Sequence, residues 1–126
     1  MNMTSKYEPA YRPTEIRLKK DEKVLEVDFD DGKQFKLPAE LLRVESPSAE
    51  VQGHGAGQKK TIPGRRHIGI MNIHPVGNYA IKIAFDDMHD TGIFSWNHLY
   101  ELGRDQETIW QDYLDRLEAE GLSRDP

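Results

Sequence analysis

The run Tyr79-Ala80-Ile81-Lys82-Ile83-Ala84-Phe85 alternates large apolar residues with small or charged ones more cleanly than any other stretch of the chain. A period of two places Tyr79, Ile81, Ile83 and Phe85 on one face of a β-strand, which commits the chain to a sheet with a buried side. The signal recurs where Leu25, Val27 and Phe29 alternate with Glu26 and Asp28, and it resumes at Phe35 and Leu37 after Asp30-Asp31-Gly32-Lys33. An earlier strand is expected from Thr14, with Ile16 and Leu18 on one face and Arg17 and Lys19 on the other, turning at Lys20-Asp21-Glu22. These segments predict a β-meander.

The two best strands also open a weak internal repeat. Val27-Asp28-Phe29-Asp30-Asp31, through Leu37-Pro38 to Leu41-Leu42, echoes Ile83-Ala84-Phe85-Asp86-Asp87, through Phe94-Ser95 to Leu99-Tyr100. Each copy reads strand, acidic turn, strand, short helix. Two such units bury their apolar sides by packing sheet faces together with helices over an edge or face, so the expected class is α+β, with small antiparallel sheets and short helices. Pro38 suits the first position of a short helix because it has no N–H to lose there. A strand from His67 to His74 is expected to bulge or change face near Met71-Asn72, with a turn at Pro75-Val76-Gly77-Asn78. Ser95 fits an N-cap, followed by the apolar face Trp96, Leu99, Tyr100 and Leu102, with Gly103 closing that helix. Ile109, Trp110, Tyr113, Leu114 and Leu117 then stripe a C-terminal helix that ends before Gly121. The aromatic residues of these two helices are read as core packing.

A length of 126 residues suits one compact domain. Residues 1–13 are expected to be a flexible tail, 14–103 the folded domain and 104–126 a C-terminal helical extension. Within the domain, residues 52–66 hold four glycines, four cations and almost nothing apolar, so they are expected to form a mobile loop. No apolar run approaches the roughly 20 residues that span a bilayer, and the N-terminus lacks a signal-peptide core, so a cytoplasmic protein without a membrane partner is expected. The absence of cysteine fits a reducing compartment. A formal charge of -5 gives no overall attraction to nucleic acid.

The residues offer little for catalysis. None of the histidines at 54, 67, 74, 89 and 98 is followed two residues later by a carboxylate, as an iron oxygenase triad usually requires. In Gly53-His54-Gly55-Ala56-Gly57-Gln58-Lys59-Lys60-Thr61, Gln58 stands where a phosphate loop needs its second glycine. Asp30-Asp31 and Asp86-Asp87 are read as turn formers, since Asp side chains accept from nearby backbone N–H groups. His54 and His89 are the candidate metal ligands. Lys59, Lys60, Arg65 and Arg66 form a basic loop able to meet an acidic or phosphorylated surface.

Leu42-Arg43-Val44-Glu45-Ser46-Pro47-Ser48-Ala49-Glu50-Val51-Gln52-Gly53-His54, Pro75-Val76-Gly77-Asn78-Tyr79-Ala80 and Phe85-Asp86-Asp87-Met88-His89-Asp90-Thr91-Gly92-Ile93-Phe94-Ser95-Trp96 closely resemble the gamma-butyrobetaine hydroxylase-like N-terminal domain family. The resemblance runs from about Pro13 to Gly103 and is strongest to the small bacterial proteins in which this domain stands alone. In the carnitine-pathway oxygenases of the family, the domain holds zinc through three cysteines and a histidine; elsewhere it is joined to Mrp-type ATPases that carry iron–sulfur clusters. By that resemblance the cysteine positions fall on Ser46, Ser48 and Val51 and the histidine on His89. A serine hydroxyl stays protonated near neutral pH and a valine has no donor, so no zinc or other cofactor is expected.

The expected function is therefore a non-enzymatic interaction or accessory module. The resemblance links it to iron–sulfur or metalloprotein maturation, with an Mrp-type ATPase or a metalloprotein client as partner. Its expected surface comprises Ser46, Ser48, His54, Lys59, Lys60, Arg65, Arg66 and His89. Two alternatives stand beside it: a small metal-binding, oxygenase-associated protein using its histidines, and a binder of acidic or phosphorylated partners through the basic loop.

Overall fold

The structure is a computed structural model that describes residues 10–53 and 57–126. Most of the expected tail and one candidate ligand, His54, lie outside the described residues. The described residues form two three-stranded antiparallel sheets in sequence order. The first contains β1 (Pro13–Lys19), β2 (Val24–Phe29) and β3 (Gln34–Pro38); the second contains β4 (Ile70–Val76), β5 (Ala80–Phe85) and β6 (Ile93–Ser95). Helix α1 (Ala39–Val44) and the single turn α2 (Ala49–Gln52) follow the first sheet, while α3 (Trp96–Arg104) and α4 (Gln106–Ala119) follow the second. The α+β class expected from the alternation is the class observed.

The two inner sheet faces and the helices share one core. Leu25, Val27, Phe29 and Leu37 meet Ile70, Ile81, Ile83, Phe85 and Phe94, and Leu41, Leu42, Leu99 and Leu102 close over them. Burying each such side chain contributes on the order of 1.5–3 kcal/mol, which makes this cluster the main source of stability. Register explains the pattern: Leu25 faces Leu37 across β2 and β3, and Ile81 faces Phe94 across β5 and β6. The irregularity expected near Met71-Asn72 is present as a register shift between Ile70 and Asn72. β4 runs on through Pro75 to Val76, so the turn falls at residues 77–79 and Tyr79 lies exposed outside the strand.

The internal repeat extends to individual hydrogen bonds. In the first acidic turn Phe29 N donates to Lys33 O and Gly32 N to Phe29 O; in the second Phe85 N donates to His89 O and Met88 N to Phe85 O. Asp31 Oδ1 accepts from Lys33 N at 2.9 Å, and Asp87 Oδ1 accepts from His89 N at 3.1 Å. Each turn places its fourth residue in the left-handed region, Gly32 at φ 89° and Met88 at φ 73°. The short helices also begin alike. Pro38 is the extended N-cap of α1 and Ser95 that of α3, where its hydroxyl accepts from His98 N.

Gly103 does not close α3, which continues to Arg104. A Cβ at Gly103 would lie 2.2 Å from Phe35 Cγ, so glycine there lets the helix approach the first sheet. Residues just before β1 are tied down: Tyr11 stacks on Tyr100 with ring centroids 3.6 Å apart, and Asn97 Oδ1 accepts from Ala10 N and Tyr11 N. Helix α4 docks through Tyr113 and Leu117 against Val44, making a second, smaller cluster.

Candidate functional site

The segment after α1 and the turn after β5 converge, although 43 residues separate Ser46 from His89. Helix α1 stops at Val44, and the chain crosses Ser46-Pro47 before Ser48 caps α2 by accepting from Glu50 N at 3.2 Å. Ser46 Oγ accepts from Ser48 N at 3.3 Å, and the Gln52 side chain donates to Ser46 O at 2.8 Å. These local bonds hold the serine loop in shape. Val51 is buried.

His89 bridges both sides. Its Nε2 lies 2.9 Å from Ser46 Oγ and its Nδ1 lies 2.9 Å from Glu50 Oε2. The Glu50 carboxylate only accepts, so Nδ1 carries the hydrogen, and in the neutral ring Nε2 accepts from the Ser46 hydroxyl. Ser48 Oγ and Thr91 Oγ1, 2.8 Å apart, add a second bridge between the segments.

Serine, histidine and carboxylate in this order form a relay familiar from nucleophilic catalysis. Here the serine is sealed: Ser46 is fully buried, and a Cβ at Gly92 would lie 2.4 Å from Ser46 Oγ. No substrate reaches the hydroxyl in this packing. The relay holds two segments together instead.

The same geometry tests the zinc set implied by the resemblance. Ser46, Ser48 and His89 do come together, but two of these donors are hydroxyls engaged in hydrogen bonds, both His89 ring nitrogens have partners, and Val51 offers no donor. These residues do not fit a zinc ion. Among the described residues, no group of three or more His, Asp or Glu side chains is placed to share a cation.

Beside the relay, Asp87 Oδ2 accepts from Arg43 Nε and Arg65 Nε, each at 2.7 Å. Burial disfavours the Asp87 carboxylate, yet the hydrogen bonds from Arg43, the His89 backbone and Arg65 outweigh it and hold the carboxyl below its usual range. Arg43 is itself buried, and its Nη1 has no partner among the described residues. Lys59 donates to the buried Glu45 at 2.5 Å, with Arg116 on its other oxygen at 3.3 Å, and Arg66 donates to Asp125 at 2.5 Å. Three of the four cations of the expected basic loop are thus paired within the chain, and Lys60 is exposed. His98 lies apart from the relay, where its Nε2 donates to Glu45 O at 3.1 Å and burial pushes its pKa below the ordinary value.

Met88, at the tip of the turn, is 82% exposed. Its left-handed backbone leaves no mark in the sequence, and the bridging roles of Glu50 and Thr91 come from pairing between distant loops, which leaves no spacing signature.

These features define a small domain of two three-stranded meanders whose loops are joined by polar side chains at one end. The model of the family described as gamma-butyrobetaine hydroxylase-like, N-terminal, matches residues 16–100, and the chain belongs to that family. Two proteins solved in solution by NMR are similar over nearly their whole length. One is 45% identical with a TM-score of 0.80, over 92% of this chain and 91% of the other; the second is 46% identical with a TM-score of 0.81, over 99% and 92%. A crystallised protein of unknown function from Acidithiobacillus ferrooxidans, assigned to the DUF971 family, is 38% identical with a TM-score of 0.62, over 73% of this chain and 92% of its own. No curated protein matches the sequence.

Proposed function

We propose that the domain is a non-enzymatic docking module whose contact surface is the turn Asp86–Asp90, braced from behind by Ser46, His89 and Glu50. The observation that carries this reading is the contrast within the repeat. Two turns with the same hydrogen bonds place glycine at the left-handed position in one copy and an exposed methionine in the other. A side chain in that region costs on the order of 1 kcal/mol, and methionine is suited to adaptable apolar contacts. A strained, exposed Met88 is consistent with retention for contact rather than for folding. The connection to iron–sulfur or metalloprotein maturation, with an Mrp-type ATPase or similar client as partner, rests on the family resemblance.

The alternatives draw less support from the geometry. A metal site at His89 would have to displace the Ser46 hydroxyl from Nε2 and find further ligands, and a basic-loop binder would have to release Lys59, Arg65 and Arg66 from their acidic partners. The test replaces Met88 by Gly and measures both folding stability and binding to a purified Mrp-type ATPase. The expected result is a domain more stable by up to about 1 kcal/mol that binds at least about tenfold more weakly. Unchanged binding by this variant contradicts the assigned surface.

A further inference from the structure

A second recognition feature lies on α1 and α4, away from the serine–histidine relay. Glu40, in the first turn of α1, is a buried carboxylate with a side-chain exposure of 8%. It accepts a two-pronged pair from one guanidinium: Arg124 Nε to Oε2 at 2.8 Å and Arg124 Nη2 to Oε1 at 2.6 Å. The same guanidinium lies over the Trp110 ring, 5.1 Å from its centroid. Pro38, Leu41, Gln106 and Trp110 line a cavity of about 260 Å³ around this pair.

The segment carrying Arg124 is held as an extended peptide ligand would be. Gly64 N donates to Ser123 O at 2.9 Å and Arg66 N to Arg124 O at 3.0 Å, which fixes its backbone against residues 64–66. Leu122, Ser123 and Pro126 are exposed, Asp125 accepts from Arg66 Nε at the surface, and only Arg124 is partly buried. The segment leaves α4 through Gly121, at φ 67°, where Gly121 N donates to Glu118 O and Leu122 N to Leu117 O. Arg124 on Glu40 is the partly buried side-chain anchor, and the exposed Arg66–Asp125 pair and two backbone bonds complete the hold on the five-residue strap.

We propose that the cleft between α1, α4 and residues 64–66 recognises an arginine in an extended segment of a partner protein, and that the chain's own Leu122–Pro126 occupies it as a resident competitor. Planar, paired donors and a flat cationic face match a carboxylate beside an indole; an ammonium cannot make the same fork. Leaving the buried Glu40 without a cation is costly, so a second guanidinium that takes the place of Arg124 favours release of the strap. Tethering gives the strap an effective concentration in the millimolar range, which sets the barrier a partner must overcome.

The experiment follows the Trp110 indole N–H by NMR in the full chain carrying Arg124→Ala, titrated with a blocked peptide of sequence Leu-Ser-Arg-Asp-Pro. Trp96, whose indole donates to Asn78 O at 2.8 Å, serves as the internal control for folding. The Trp110 signal is expected to shift saturably while that of Trp96 stays fixed. The lysine version of the peptide is expected to bind at least about tenfold more weakly, as is the arginine peptide to the wild-type chain. Adding Glu40→Gln to the variant should abolish the shift. If Arg124→Ala fails to fold, Arg124→Lys gives the same comparison with the charge retained. No shift at millimolar peptide, equal binding of the lysine peptide, or binding indifferent to Glu40→Gln overturns the proposal.

Discussion

Ser46 Oγ and His89 Nε2 stand 2.9 Å apart in the interior and join the loop after the first sheet to the turn after β5. Both residues are buried, so their hydrogen bond acts where water cannot substitute for a lost partner. Ser46→Ala is expected to lower stability by about 1–3 kcal/mol in denaturant unfolding, because it leaves His89 Nε2 unsatisfied.

Gly92 is constrained by the same hydroxyl. Gly92→Ala drives a Cβ to 2.4 Å from Ser46 Oγ and 3.0 Å from Phe94 Cε1, and is expected to cost about 1–3 kcal/mol. Combined with Ser46→Ala, which removes one of the two clashing atoms, the loss should be smaller than the sum of the single changes by about 0.5 kcal/mol or more. A strictly additive double mutant speaks against this packing.

Acid should weaken the domain in two stages. The folded values of His98 and Asp87 both lie below their ordinary ones, so the unfolded chain takes up protons first as pH falls. The contribution of His98 is full above about pH 6.5 and declines below it; that of Asp87 is full above about pH 4 and is lost as pH falls through its depressed folded value. His98→Gln should flatten the first stage. Asp87→Asn should shrink the second and cost roughly 3 kcal/mol at neutral pH, since it uncouples the buried Arg43. Unfolding free energies measured across pH 3–8 check both.

Amide exchange should divide the segment expected to be mobile. Lys60, Gly64 and Arg66 donate backbone bonds to Val51, Ser123 and Arg124, so their amides are expected to exchange more slowly than that of Gly57. Ile81, Ile83 and Phe85, on the central strand of the second sheet, should be the slowest. Exchange as fast at Gly64 and Arg66 as at Gly57 contradicts the docking of the strap.

Much of the fold was legible in the sequence because strand periodicity is local. Ile81, Ile83 and Phe85 announce a buried face, and Asp30-Asp31 and Asp86-Asp87 announce turns through bonds that span two residues. The repeat was visible in the same way, though the shared left-handed position of Gly32 and Met88 was not, since methionine carries no signal for that conformation. Gly103 looked like a helix end; only the approach of the Phe35 ring explains it. The pairs His89–Glu50 and Arg43–Asp87 join residues 39 and 44 positions apart, and such partners are chosen by tertiary packing rather than by any pattern along the chain. The basic loop read as free charge because its acidic partners Glu45, Asp87 and Asp125 lie in other elements.

The central claim is that Ser46 and His89, two of the positions where the family resemblance would otherwise put zinc, brace the proposed docking turn by hydrogen bonds together with Glu50. It is tested most directly by the unfolding midpoint of tag-free protein with and without a strong chelator. The account predicts the same midpoint in both. A midpoint lowered by the chelator, restored by one equivalent of zinc and insensitive to chelator once His89 is replaced by Ala, would contradict it.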